Sequence, residues 1–203
     1  LALLDYNVGF NLTTTKNKVV ELSDDNQVLK GEGLKYGTEH FPTETRVDQP
    51  IGGFYLYRTD GIFQNMSEVN AHTNANGELI QPNAQPGDIR FKDLNGDGKI
   101  TDDDKEYCGS GIPSLEANLN LSASYKGFDL SAVIGSAWNF KLYNGNKYFY
   151  EGMNSKSNML KSTLDAWTPQ NTSTNVPRAV YQDPNGNMKE SDRFLENGDF
   201  VRL

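Results

Sequence analysis

From Leu115 the chain alternates without a break for eleven residues, with Leu115, Ala117, Leu119, Leu121, Ala123 and Tyr125 set against Glu116, Asn118, Asn120, Ser122 and Ser124. Side chains on a strand point to opposite faces in turn, so the pattern specifies a strand with one apolar and one polar face. Lys126-Gly127 supplies a two-residue turn, after which Phe128, Leu130, Ala132 and Ile134 alternate with Asp129, Ser131, Val133 and Gly135. The pair predicts a β-hairpin. Its strands have the roughly 9 to 11 residues needed to cross a bilayer obliquely in a barrel wall. Strands of soluble proteins more often have roughly five or six.

The opening segment carries the same signature, Leu4, Tyr6, Val8, Phe10 and Leu12 alternating with Asp5, Asn7, Gly9, Asn11 and Thr13. Residues 51–63 are rich in aromatics and predict a further strand, with Phe54 and Leu56 facing one way and Tyr55 and Tyr57 the other. Residues 193–203 read as a strand that begins and is then cut off, carrying Phe194, Phe200, Val201 and Leu203. The expected fold class is therefore all-β, the antiparallel strands of a transmembrane β-barrel present as a partial segment with long extracellular loops.

In such barrels short turns face the periplasm and long loops face outward. With Lys126-Gly127 on the periplasmic side, residues 86–113 and 138–192 become outer loops, and residues 16–50 become a periplasmic connection longer than such turns usually are. The second outer loop carries Tyr143, Tyr148, Phe149, Tyr150, Trp167 and Tyr181. These aromatics either pack the loop onto itself, as a long loop requires, or offer a stacking surface to a sugar or peptide. Within the loop, Leu160, Leu164 and Trp167 are spaced by four and three, which predicts a short amphipathic helix over residues 159–167, ended by Pro169.

Residues 93–104 fill a twelve-residue calcium loop position by position. Asp93, Asn95 and Asp97 stand at positions one, three and five, Lys99 offers its backbone carbonyl at seven, and Asp104 closes the loop at twelve. Gly98 falls where the loop turns sharply, and Ile100 is an apolar anchor at position eight. Asp104 replaces the customary Glu and shortens the closing arm. Five carboxylates, Asp93, Asp97, Asp102, Asp103 and Asp104, repel one another until a cation neutralises them. A tight acidic turn is the plainer alternative, because Gly, Asn and Asp favour turns for backbone reasons alone. Helices do not flank the loop. Residues 86–92 alternate like a strand, and Gly109, Gly111 and Pro113 break any helix downstream. The expected role is a structural calcium clip between strands.

Other chemistries find little footing. A net charge of -8 offers no basic stripe to nucleic acid. Cys108 is the single cysteine, which excludes an internal disulfide or a thiol zinc cluster, and the two histidines, His40 and His72, carry no triad signature beside it. Gly31-Glu32-Gly33 neither follows a strand nor opens a helix. Glu190 and Asp192 read as solvated surface charges rather than a catalytic carboxylate pair. No apolar run approaches eighteen residues, and the first residues lack the basic-then-apolar order of a signal peptide. With no methionine at its start, the chain is expected to be a mature or excised piece.

Four blocks in order resemble one family. They are Pro50-Ile51-Gly52-Gly53-Phe54-Tyr55 through Asp60-Gly61-Ile62-Phe63-Gln64, residues 86–93 running into the acidic loop, residues 119–130 with Tyr125-Lys126-Gly127-Phe128-Asp129, and residues 191–203. Together they resemble the C-terminal part of the barrel of SusC/RagA-type TonB-dependent transporters. The resemblance implies an outer-membrane protein with a plug, driven by TonB. It implies import of glycan or peptide oligomers delivered by a SusD-like surface lipoprotein, a wall facing membrane lipid, no nucleic acid and no bond chemistry. Plug, TonB box and closing strands are expected outside these residues. From the residues alone, a soluble extracellular β module stabilised by calcium and binding carbohydrate or protein stays open as the alternative.

Overall fold

The computed structural model describes residues 4–23, 28–36, 38–154, 156 and 158–203. In chain order its strands are β1 (Asp5–Thr14), β2 (Val28–Lys30), β3 (Leu34–Tyr36), β4 (Thr38–His40), β5 (Thr43–Arg46), β6 (Gly53–Tyr57), β7 (Thr59–Ile62), β8 (Ile89–Phe91), β9 (Lys105–Ser110), β10 (Leu115–Tyr125), β11 (Phe128–Trp138), β12 (Lys141–Tyr143), β13 (Leu195–Asn197) and β14 (Phe200–Arg202). Two short helices, α1 (Met66–Ala71) and α2 (Gly145–Tyr150), complete the regular structure together with a few 3-10 turns.

The three longest strands lie side by side, in the order β1-β10-β11 with β14 at the edge, all antiparallel. Their register matches like with like. Val8 faces Leu121, which faces Ala132, and Phe10 faces Leu119, which faces Ile134. One residue away, Asn7 faces Ser122 and Ser122 faces Ser131. One face of this wall is therefore apolar except at Thr14 and Ser136, and the other is mostly polar, with Val133, Ala137 and Phe200 as its apolar members. The apolar face is bare, with Phe10 68%, Leu130 71% and Phe128 82% exposed. Water would penalise that face, whereas lipid accommodates it. Lys126 and Gly127 have φ of 48° and 83°, the left-handed pair that a two-residue hairpin turn demands.

Thr14 pairs with Leu115, so residues 15–114 leave the wall and return to it at one end. Residues 139–199 depart from that same end, since Trp138 also pairs with Leu115. This corrects two expectations. Residues 16–50 do not form a connection at the opposite end, and residues 51–63 do not form a wall strand. Phe54, Tyr55, Leu56 and Tyr57 are all buried, so β6 is covered on both faces, with β5 and β9 as its neighbours. A two-faced aromatic run belongs inside a core, not in a wall with one wet side.

The two excursions fold into one cap. Trp167, from the second, buries its ring among Tyr57, Ile62, Ile89 and Phe91 of the first and donates from Nε1 to Gln64 Oε1 at 3.0 Å. Tyr148 packs with Met188 and Phe194, with Tyr143 and Phe149 against them. Most of the aromatics of the second loop thus hold the cap together, while Tyr150 and Tyr181 remain exposed. The edge of β8 is satisfied by side chains: Gln81 Oε1 accepts from the Phe91 N–H (2.8 Å) and Asn187 Oδ1 from the Ile89 N–H (2.8 Å).

Residues 159–167 form no α-helix. A 3-10 turn spans Lys161–Asp165, Leu164 is 84% exposed, and only Trp167 of the expected apolar stripe is buried. The Thr163 hydroxyl donates to the Leu160 carbonyl at 2.7 Å, a local bond that competes with helix propagation. The last segment is also broken rather than continuous. At Gly198 a Cβ would sit 2.3 Å from the Phe140 ring, so the chain passes that ring on a glycine and splits into β13 and β14.

Placing a cation on the bare apolar face, Val8→Arg, is expected to destabilise the membrane-inserted fold by roughly 2–4 kcal/mol, while Asn7→Arg on the other face changes it little. Denaturant unfolding of the protein folded into lipid vesicles measures the difference.

Candidate functional site

The acidic loop hangs between β8 and β9 and closes on itself through backbone amides. Asp93 accepts from the Gly96 N–H at Oδ1 and from the Gly98 N–H at Oδ2, both at 2.7 Å. Asn95 Oδ1 accepts from the Asp97 N–H (2.8 Å), Asp97 Oδ1 from the Lys99 N–H (2.9 Å), and Asn95 Nδ2 donates to Asp97 Oδ2 (3.2 Å). Asp104, fully buried, reaches back from the far end and accepts from the Leu94 N–H (2.8 Å) and the Thr101 N–H (2.7 Å). Gly96 and Gly98 take φ of 75° and 85°, and a Cβ at Gly98 would meet Asn74 at 2.5 Å. The spacing therefore folds into a closed ring with Asp93, Asn95 and Asp97 linked on one side and Asp104 locked to the loop's second residue.

One feature departs from expectation. Asp102 does not add to the crowd of loop carboxylates, because it is drawn outward to the Tyr57 hydroxyl (2.9 Å), Lys105 (3.0 Å) and Lys30 (3.6 Å). Partial burial opposes its charge, but hydrogen bonds from Lys105 and Tyr57 outweigh this and hold its carboxyl below the usual range. Lys99 is exposed and joins the ring through its N–H. Among the described residues no three acidic, histidine or cysteine side chains converge as a ready metal cage.

Behind the loop stands a buried ionic hub. Glu190 is buried between His40, whose Nδ1 lies 2.6 Å from Oε2, and Lys105, whose Nζ lies 2.6 Å from Oε1. Burial disfavours the Glu190 charge, yet hydrogen bonds from His40 and Lys105 prevail and bring its pKa down to about 2. Burial likewise opposes the Lys105 ammonium, and Glu190 with Asp102 more than restores it, raising its pKa. Lys189 donates to the Ile100 carbonyl at 3.2 Å and lies 4.9 Å from the centre of the Tyr57 ring. Its pKa is lowered chiefly by burial. Asp192 accepts from both the N–H and the hydroxyl of Thr59, at 3.1 and 2.6 Å. Glu190 and Asp192 are thus structural members of the cap, contrary to the reading of solvated charges.

A second buried carboxylate, Asp88, takes a two-pronged pair from Arg178 (2.7 and 3.1 Å) and a hydrogen bond from Asn187 Nδ2 (3.0 Å). These partners are separated by 90 or more residues in sequence, and no local spacing announces them. Cys108 is the extra residue of a β-bulge, since Phe54 pairs with Gly109 and Tyr55 with Tyr107. Its thiol lies 3.8 Å from Arg58, and burial raises its pKa. Nothing here assembles a nucleophile.

No family model matches the chain. It is 26% identical over 201 residues to TonB-dependent receptor P3 of Formosa agariphila, covering 98% of this chain. It is 21% identical to TonB-dependent receptor SusC of Bacteroides thetaiotaomicron, covering 97%. Over nearly its whole length the chain is similar to SusC-type TonB-dependent receptors. The structure of the RagAB peptide transporter matches its fold over 98% of the chain, with a TM-score of 0.66 at 20% identity. This chain spans 19% and 17% of the two curated relatives and 20% of that solved chain. Its three long strands are the wall of a partial β-barrel, and the proteins it is similar to are named receptors and a peptide transporter.

Lys105→Met, which strands a buried carboxylate, is expected to destabilise the cap by about 3–5 kcal/mol, and Lys105→Met with Glu190→Leu to recover most of it. Without substitution, the Glu190 contribution is complete above its ordinary value of 4.5 and is lost as pH falls toward about 2. Thermal unfolding across that pH range reads both.

Proposed function

We propose that this segment supplies part of the wall and outer cap of an outer-membrane, TonB-dependent nutrient transporter. The observation that carries the reading is the sheet of β1, β10 and β11, bare and apolar on one face, polar on the other, with a two-residue turn at one end and all the remaining chain at the opposite end. Short turns and long loops at opposite ends suit periplasmic and extracellular sides respectively, which puts the cap outside the cell. TonB engages through a part of the protein beyond this segment, a SusD-like lipoprotein sits over the cap, and the cargo is a glycan or peptide oligomer. The bare apolar face disfavours the soluble-module alternative, which leaves it without cover. The full-length receptor is expected in the outer-membrane fraction and dispersed only with detergent. Recovery as a soluble monomer would remove the wall reading.

The acidic loop is a calcium clip in this proposal. The ring geometry suits a hard cation: Asp93, Asn95, Asp97 and Asp104 are oxygen donors in one loop, the Lys99 carbonyl completes the set, and two left-handed glycines permit the turn. Asp104 is buried without a cationic side chain in ion-pair range among the described residues, so a divalent ion is a fitting counter-charge. When bound, calcium would neutralise the carboxylates and rigidify residues 93–104; it does no chemistry on cargo. Chelation is expected to raise amide exchange across residues 93–104, and Asp93→Ala to weaken calcium binding at least about tenfold. Exchange unchanged by chelation would leave the loop as a plain acidic turn.

A further inference from the structure

A cleft of about 520 Å3 lies where the cap joins the wall. Thr15, Ser114 and Asn139 line it. Thr15 carries on the parity of Asn11 and Thr13, and Ser114, whose carbonyl accepts from the Thr15 N–H at 3.0 Å, that of Glu116 and Asn118. Both therefore continue the polar face, and the cleft borders the side of the wall turned away from lipid.

Two ammonium groups and one aromatic plate border this cleft: Lys16, Lys141 and Tyr107. Their positions are built. Gly53 has no Cβ where one would sit 2.7 Å from the Tyr107 ring, and Gly109, with φ of 126°, has none where one would sit 2.9 Å from Lys141 Cγ. Glycines in β6 and β9 thus let the ring and the lysine stem lie flat on the sheet, and the ring is braced edge-on by Tyr55 at 5.8 Å. Neither lysine has a carboxylate within ion-pair distance among the described residues. Asp199 also borders the cleft: its carboxylate accepts from the Asn139 and Phe140 N–H groups at 2.7 and 3.4 Å and from Asn197 Nδ2 at 3.2 Å, and its charge is felt by Lys141 beyond ion-pair distance, which leaves Lys16 and Lys141 with a net positive charge over the carboxylate.

We infer that this cleft is a cargo-contact site for an acidic oligosaccharide, one bearing carboxylate or sulfate groups. The Lys16 and Lys141 ammonium groups, free of direct ion pairs, take the anions through charge-assisted hydrogen bonds, the Tyr107 face takes a sugar ring, and the amide and hydroxyl side chains around them suit a polyhydroxylated chain. The inference rests on the transporter reading and narrows its cargo.

The test uses full-length receptor in detergent, with four probes of equal length: a uronic oligosaccharide, a sulfated one, a neutral one and an acidic peptide. Calorimetry is expected to show the acidic sugars binding more tightly than the neutral one, with an affinity that falls as salt rises. Lys16→Met with Lys141→Met keeps an unbranched stem of similar length without the charge and should weaken acidic-sugar binding roughly tenfold or more, leaving the neutral probe unchanged. Binding of the uronic but not the sulfated probe, or the reverse, identifies the anion within the same class. Equal binding by the double variant, equal affinity for the neutral probe, or binding by the acidic peptide alone would overturn the site. Membrane residence of the same preparation reports separately on the transporter reading, so a failed site leaves that reading standing.

Discussion

The antiparallel ladder between β1 and β10 is the constraint on which everything else depends. It joins residues 5–14 to residues 115–124, so a hundred residues between them must begin and end at neighbouring points. Closing so long an excursion is entropically unfavourable, and the cap must offset it with a core of its own. It does so by burying whole aromatic side chains, Phe63, Phe91, Tyr148 and Phe194 among them, in a part of the chain that is otherwise rich in Asn, Asp and Gly. The wall needs no such core, because lipid and neighbouring strands cover it.

Charge then decides how the two excursions fit each other. Glu190 with Lys105 and His40, and Asp88 with Arg178, join the second excursion to the first, while Arg193 with Glu151 ties the second to itself, and each is largely withdrawn from water. Buried pairs contribute little net stability, since desolvation offsets most of the attraction, but a mismatched partner is severely penalised. Their value here lies in register. The acidic loop is tied into this same system by the Ile100 carbonyl to Lys189 and by Asp102 to Lys105 and Tyr57, so the state of the loop and the seating of the second excursion are mechanically joined.

The wall was legible in the sequence because its physics is local: a period of two needs no partner to be read, and β10, β11 and β1 fall where alternation places them. The acidic ring was legible for the same reason, its bonds being confined to twelve residues. The cap was not. Phe54 to Tyr57 alternate as plausibly for a wall strand as for a core strand, and only burial on both faces distinguishes them. The stripe at Leu160, Leu164 and Trp167 has helical spacing, yet Trp167 is captured by a distant core and Leu164 is left outside. Glu190 gave no signal at all, since the partners that make it structural are 85 and 150 residues away.

The hairpin also measures the membrane it was made for. Its apolar face runs from Tyr125 and Phe128 beside the turn to Trp138 opposite Leu115 beneath the cap, ten residue steps along each strand, with an aromatic side chain at either limit. At about 3.3 Å per step and a tilt of about 40°, the band stands roughly 25 Å tall. That height suits a bilayer thinner than the average, and the rings at its limits fix the vertical position of the sheet. The cap is thereby held at a set elevation above the lipid surface, so any partner that docks on it meets a platform whose height is decided by the spacing of three aromatic rings.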